Sequence, residues 1–167
     1  MGRRPVKSRF APDVFVFPGG KLDRTDWNAK PERPLSPESI RRAAAPPAMA
    51  EALAAAALRE TAEETGLVLP ADHGALTLLA RAITPTESPI RFHARFFLAD
   101  WDEAHGRYAD SHELTDLAFR ALRETAKLPL MDVTEAVLAG LTAVEAGTLQ
   151  PFLFTYRQGR PHLRQLD

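Results

Sequence analysis

Apolar and polar positions along the chain alternate between the period of a strand and the period of a helix. Val14, Phe15, Val16 and Phe17 form a short apolar run stopped by Pro18-Gly19-Gly20, which predicts a buried strand ending in a tight turn. From Lys21 to Pro47, five prolines and many charges break any period. That stretch reads as a loop or insertion with a helical piece near Pro37–Ala45. An Ala-rich helix is predicted from about Met49 to Thr65, with Gly66 at its C-cap. Leu76–Ile83 reads as a strand. Ile90–Ala99 reads as another, because Ile90, Phe92, Ala94, Phe96 and Leu98 alternate with Arg91, His93 and Arg95.

Trp101–His112 is polar and predicted to be a loop, followed by a strand at Glu113–Phe119 and a short helix at Arg120–Lys127. Asp132 and Glu135 stand at capping-box spacing before a final helix that Gly147 ends. Phe152–Tyr156 and Pro161–Leu163 flank Arg157-Gln158-Gly159-Arg160 as a closing hairpin. This mixture predicts an α+β layered fold, and no internal repeat is visible.

Composition narrows the function classes. A length of 167 residues fits one domain, 1–167, with an insertion at about 21–48. Apolar residues at 45% and charged residues at 26% are ordinary for a globular chain. With 21 basic and 22 acidic residues there is no basic excess of the kind that binds nucleic acid. The absence of cysteine excludes disulfides, zinc–thiolate sites and thiol nucleophiles. No apolar run reaches membrane-spanning length, so no membrane partner is expected. The basic start MGRRPVKSRF leads into no signal-peptide core, so a cytoplasmic location is expected.

The candidate chemistry lies in Arg59-Glu60-Thr61-Ala62-Glu63-Glu64-Thr65-Gly66-Leu67. On a helix, Glu60, Glu63 and Glu64 fall at i, i+3 and i+4 and share one face. Three carboxylates so close repel unless a cation compensates. A hard divalent cation such as Mg²⁺ (or Mn²⁺) suits them, because it prefers oxygen ligands. Arg59 stands ready to hold one carboxylate by a charge-assisted hydrogen bond. A plain solvated acidic face is the competing reading, but no Lys or Arg follows these glutamates at i+4. Arg123-Glu124-Thr125 repeats the opening of the motif without its later carboxylates and is read as ordinary helix.

The segment resembles the second half of the Nudix box, with Thr61 in place of an aliphatic residue. Seven residues lie between Glu51 and Arg59, as that pattern asks, and Gly20 in Phe17-Pro18-Gly19-Gly20 matches the opening glycine. Thirty residues separate Gly20 from Glu51 where the box has five. A long insertion there resembles the branch of Nudix enzymes that acts on coenzyme A and acyl-CoA.

The resemblance implies a Nudix-type α/β/α sandwich with a mixed sheet. It implies a diphosphatase (pyrophosphohydrolase) acting on a small nucleotide-derived molecule. Glu60, Glu63, Glu64 and the Gly20 carbonyl would be metal ligands. Arg59 would orient the glutamates, and Glu51 and Gly66 would shape the helix. A further glutamate from a later loop often serves as ligand or base, and Glu113 sits where it is expected; His112 is a weaker candidate, with Asp100, Asp102 and Glu103 as alternatives.

Arg9, followed by Asp13 and then Phe17-Pro18-Gly19-Gly20, matches part of a CoA-related motif, with Asp13 where that motif has glycine. Trp27, with Arg33, Arg41 and Arg42, is a candidate to meet an adenine or a 3′-phosphate. The chain starts where related domains already have one or two strands, so a sheet short of its first strands, and a homodimer, are expected. Hydrolysis of ADP-ribose or another nucleoside diphosphate derivative stays open beside CoA, as does a non-catalytic Nudix-fold nucleotide-binding module.

Overall fold

The computed structural model describes residues 1–88 and 90–166. Strand β1 (Gly2–Arg3) pairs antiparallel with β2 (Phe15–Val16), so the first residues do contribute a strand, though only a short one. Bridges from Arg3 to Thr115 and from Phe15 to Leu130 tie this ribbon to the later chain. After the Pro18-Gly19-Gly20 turn, the insertion folds into a 3-10 turn, Asp26–Asn28, and helix α1, Pro37–Ala43. Ser36 caps α1 by accepting from Ser39 N–H.

Helix α2 (Pro47–Thr65) starts two residues earlier than the alanine pattern suggests, because Pro47 occupies its first position, where a missing N–H costs nothing. It ends at Gly66, whose φ of 73° is the left-handed C-cap the sequence predicts. Strand β3 (Leu67–Val68) follows at once and pairs with β6 (His105–Gly106), a ladder the polar character of that loop concealed.

The main sheet holds β4 (Thr77–Ile83), β5 (His93–Leu98), β7 (Phe152–Arg157) and β8 (Arg160–Gln165) in the order β5-β4-β7-β8. The β4–β7 pair is parallel and the other two are antiparallel, so the sheet is mixed. A register shift between Leu78 and Ala80 inserts a bulge into β4. Because side chains alternate, one extra residue flips the faces. Leu76 and Leu78 pack with Leu35, Ala43, Ala50 and Ala54 of the α1–α2 layer. Ala80 and Ala82 pack with Val137, Phe152 and Phe154 beneath helix α4 (Asp132–Glu145). The sheet therefore lies between two helical layers. Alanines along α2 let it sit close to the strands.

Four expectations fail. Residues Glu113–Phe119 form no strand beyond the single bridge at Thr115; Ser111 Oγ and Asp110 take the backbone N–H groups of Leu114, Asp116 and Leu117 instead. Strand β5 begins at His93, not Ile90: Phe92 N–H is taken by Thr84 Oγ1, and the predicted stretch begins beside Pro89, outside the described residues. The short helix predicted over Arg120–Lys127 shrinks to α3, Leu122–Thr125. At α4 the cap is Met131 with no side-chain bond, because Asp132 is inside the helix and its second oxygen accepts the Tyr156 hydroxyl. Gln158 and Gly159, both at positive φ, close the β7–β8 hairpin, in the conformation a two-residue turn requires. Among the described residues no helix is long and apolar enough to cross a membrane.

Candidate active site

The carboxylates of the box sit on the last two turns of α2, facing the Gly19–Gly20 turn. Glu64 is only 5% exposed, and its Oε2 accepts the Gly19 N–H at 2.8 Å. Burial pushes its carboxyl up to about 7; the Gly19 bond works the other way, Glu113 and Glu60 raise it further, and Arg4 opposes them. Glu60 lies against Gly20. A methyl group on Gly20 would stand 2.1 Å from Glu60 Oε1, so only glycine permits this approach. Glu63 is the outermost of the three, with a largely exposed side chain.

Arg59 organises the group. Its Nη1 donates to Glu60 Oε1 and to Glu63 Oε2, each at 2.9 Å. Its other edge grips Asp26, from Nε to Oδ1 at 2.9 Å and from Nη2 to Oδ2 at 3.0 Å, and Nη2 also reaches the Lys21 carbonyl. Asp26 is buried, and the Arg59 bond holds its carboxyl below the usual range despite the desolvation. Sequence reasoning missed Asp26. It lies thirty-three positions before Arg59 in an aperiodic stretch, and its one signal was an acid beside Trp27 in a proline-rich loop.

Glu51 joins the middle of the insertion to the later chain. Its Oε1 accepts Leu35 N–H at 2.9 Å, and its Oε2 meets Nδ1 of the buried His73 at 2.6 Å. Gly66 brings the end of α2 within backbone contact of Arg107, where a methyl group would stand 2.2 Å from the carbonyl oxygen. Ala109 N–H also donates to Thr65 O. These contacts fasten the loop that carries Glu113 to the helix end. Glu113 is half exposed, near enough to Glu64 to raise its carboxyl. His112 is almost fully exposed and meets Glu113. Arg4, a second residue missed in the sequence, faces Glu64 from the strap after β1.

Other candidates stand apart. Arg9 is exposed on the strap between β1 and β2, with no ion pair among the described residues; its neighbour Phe10 packs on Phe92. Asp13 adopts a positive φ of 62° and pairs with Arg3 at 2.8 Å, so an asparagine-like turn replaces the expected glycine. Trp27 is half exposed beside Asp26. Arg33 pairs with Asp72, and Arg42 with Glu38. Asp100, Asp102 and Glu103 border a cavity of about 350 Å³ next to Leu69 and Leu76, away from the box carboxylates.

Among the described residues no three carboxylate or imidazole groups already converge at metal-binding spacing. Arg59 and the Gly19 N–H hold the three glutamates in separate bonds. The donor set nevertheless suits a hard divalent cation: every donor is oxygen, glycine leaves Glu60 its room, and burial beside Glu113 and Glu60 raises Glu64 to about 7, a cost that a cation would offset.

The fold has a close counterpart among solved structures. A NUDIX hydrolase from Alicyclobacillus acidocaldarius superposes with a TM-score of 0.65 at 28% identity, over 89% of this chain and 86% of that one. The fold is the Nudix fold. No protein-family model and no curated protein matches the chain. That likeness, together with the box residues of α2, supports a Nudix hydrolase.

Proposed function

We propose that this protein hydrolyses a diphosphate linkage in a small nucleotide-derived molecule, with the chain acting as one catalytic domain that includes the 21–48 segment. The observation that carries this reading is the gathering of Glu60 and Glu64 against Gly19–Gly20, with Glu63 joined to Glu60 through Arg59 and Glu113 near Glu64. Glu60, Glu63, Glu64 and the Gly20 carbonyl would hold a divalent cation, Mg²⁺ or Mn²⁺. Such an ion neutralises phosphoryl oxygens and lowers the pKa of bound water.

The remaining work belongs to the chain itself. Arg59 fixes the directions of Glu60 and Glu63 and is itself fixed by Asp26. Glu113 accepts a proton from the attacking water, since its exposed carboxylate is free to reach a substrate-side oxygen. The water oxygen bonds to phosphorus, the bridging P–O bond breaks, and the departing phosphate takes the electron pair. Arg4 offsets negative charge on the Glu64 side.

Coenzyme A or an acyl-CoA is the leading substrate, on the strength of the long insertion within the box. Trp27 and Arg9 are the candidate substrate contacts. A nucleotide-binding module without turnover is the second reading, favoured by Arg59 already occupying Glu60 and Glu63 with its hydrogen bonds. The test is turnover of CoA, acetyl-CoA, ADP-ribose, diadenosine polyphosphates and nucleoside triphosphates with Mg²⁺ or Mn²⁺, beside Glu63→Gln. Release of 3′,5′-ADP from CoA, lost in the variant, establishes the enzyme and the substrate. Turnover of another member alone sinks the CoA assignment. No turnover by folded protein sinks the hydrolase reading.

A further inference from the structure

The main sheet carries a row of cations that the candidate active site does not use. Arg81 on β4 is in register with Arg95 on β5 and with Leu153 on β7, and Leu153 is in register with Arg164 on β8. Residues in register share a face, so three arginines line one row across four strands. Beyond the β4 bulge this face is the one α4 does not cover: Ala80 and Ala82, which alternate with Arg81, point under α4. Two residues further on, Thr155 pairs with His162, and at the hairpin end Arg157 pairs with Arg160. The strands place no carboxylate on this part of the face.

Half-buried guanidinium groups normally find a carboxylate, because desolvating a cation without a counter-charge is costly. Here the partners are different. Arg95 donates from Nε and Nη2 to the Ala43 carbonyl and from Nη1 to the His93 carbonyl, so part of its role is to cap the end of α1. Among the described residues Arg81 has one partner, Nε2 of His93, reached by Nε at 3.2 Å and by Nη2 at 3.0 Å. Among the described residues, none of Arg81, Arg95 and Arg164 makes an ion pair, although ten pairs form elsewhere in the chain.

The electrostatics agree with that geometry. Burial lowers Arg81, with Arg164 adding to the effect; burial and Arg81 together push Arg95 down to about 10. His93 is pushed down to about 4 by desolvation and by both arginines, so it stays neutral and accepts from Arg81. None of the box carboxylates contributes to these shifts. The face lacks only an anion.

We propose that Arg81 and Arg164, with the charge of Arg95 beside them, form a binding site for a phosphate-type dianion, distinct from the carboxylates of α2. Planar guanidinium groups side by side match the oxygens of such a group. Adjacent strands stand about 4.8 Å apart, so Arg81 and Arg164, with Leu153 between them, are close enough for their long side chains to meet one phosphate. A small anion fits better than a nucleic acid, which would use aromatic side chains to stack bases; this stretch of the face has none. Free orthophosphate and the phosphate of a nucleoside monophosphate offer the same chemistry.

Titration calorimetry on the whole, metal-free protein tests the site, with orthophosphate, AMP, a single-stranded oligonucleotide and chloride at matched ionic strength. Orthophosphate or AMP is expected to bind, at least tenfold more weakly to Arg81→Gln and severalfold more weakly to Arg164→Gln, with Glu63→Gln unchanged. Tighter binding of AMP than of orthophosphate marks a nucleotide as the source; equal binding marks free phosphate. Arg164 is exposed, so its variant reports even if Arg81→Gln folds poorly. Equal heats from chloride, binding insensitive to both arginine variants, loss in Glu63→Gln, or response to the oligonucleotide alone would each overturn the assignment.

Discussion

Asp26 and Arg59 meet through both ends of their charged groups, Nε on Oδ1 and Nη2 on Oδ2, across thirty-three positions of sequence. This one fork makes the insertion part of the site: the residue that aims Glu60 and Glu63 is itself aimed by a buried carboxylate from the 3-10 turn. Removing Asp26 leaves Arg59 with one edge unopposed.

Asp26→Ala is therefore expected to destabilise the protein by about 3 kcal/mol, the cost of stranding one member of a largely buried pair. Turnover should fall with it, because Arg59 would swing and release both glutamates. Urea unfolding and initial rates on the same samples check this. Unchanged stability would mean that the pair is dispensable.

Glu64 sets a pH dependence. Its carboxyl, raised from 4.5 to about 7, is easier to protonate in the folded chain than in the unfolded one. Stability of the metal-free protein is then full below about pH 4.5 and declines as pH rises through 7. A divalent cation should remove the decline by supplying the missing charge. Melting temperatures between pH 5 and 8, with and without Mg²⁺, give the slope. Glu64→Gln should flatten it, and a slope that survives in that variant would assign it to other groups.

Two glycines should fail in different ways. In Gly20→Ala the new methyl meets only the end of a flexible side chain, Glu60, which can move aside. The fold is expected to persist while turnover drops at least tenfold. In Gly66→Ala the methyl meets the Arg107 backbone at a φ of 73°, and neither can yield. That variant should lose about 2 kcal/mol or more of stability. Thermal melts beside rates separate the two cases, and the reverse pattern would refute the assignment of roles.

Glu51→Ala should destabilise without touching the chemistry directly, since it strips partners from Leu35 N–H and from the buried His73. A loss of about 2 kcal/mol is expected from two unsatisfied groups. Glu51→Gln should recover part of it. Equal losses in both variants would argue for charge over hydrogen bonding.

Much of this arrangement is legible in the residues. The i, i+3, i+4 spacing places the glutamates on one face of α2, Gly66 ends the helix as its position suggests, and the apolar stretch of β4, the alternation in β5 and the hairpin signal around Gly159 yield the sheet. Where reading failed, long-range bonds overrode local pattern. Glu113–Phe119 has strand-like composition, yet Asp110 and Ser111 capture its N–H groups. Asp132 has cap spacing, yet Tyr156 on β7 claims it. The bulge at Leu78–Ala80 leaves no mark in a run of leucines and alanines, so the facing of Arg81 was invisible. Asp26 and Arg4 reach the site from segments with no period at all.

Gly106 and Gly66 abut backbone to backbone; a methyl on Gly106 would stand 2.3 Å from the Gly66 carbonyl oxygen. The separation between the helix bearing Glu64 and the loop bearing Glu113 is thus set by main chain alone, with no side chain acting as a spacer. The exposed loop that leads from β5 to β6, 99–104, is free to lengthen, shorten or change its surface without altering that separation. Recognition of new substrates has room to drift there, while the gap between the two carboxylates stays clamped.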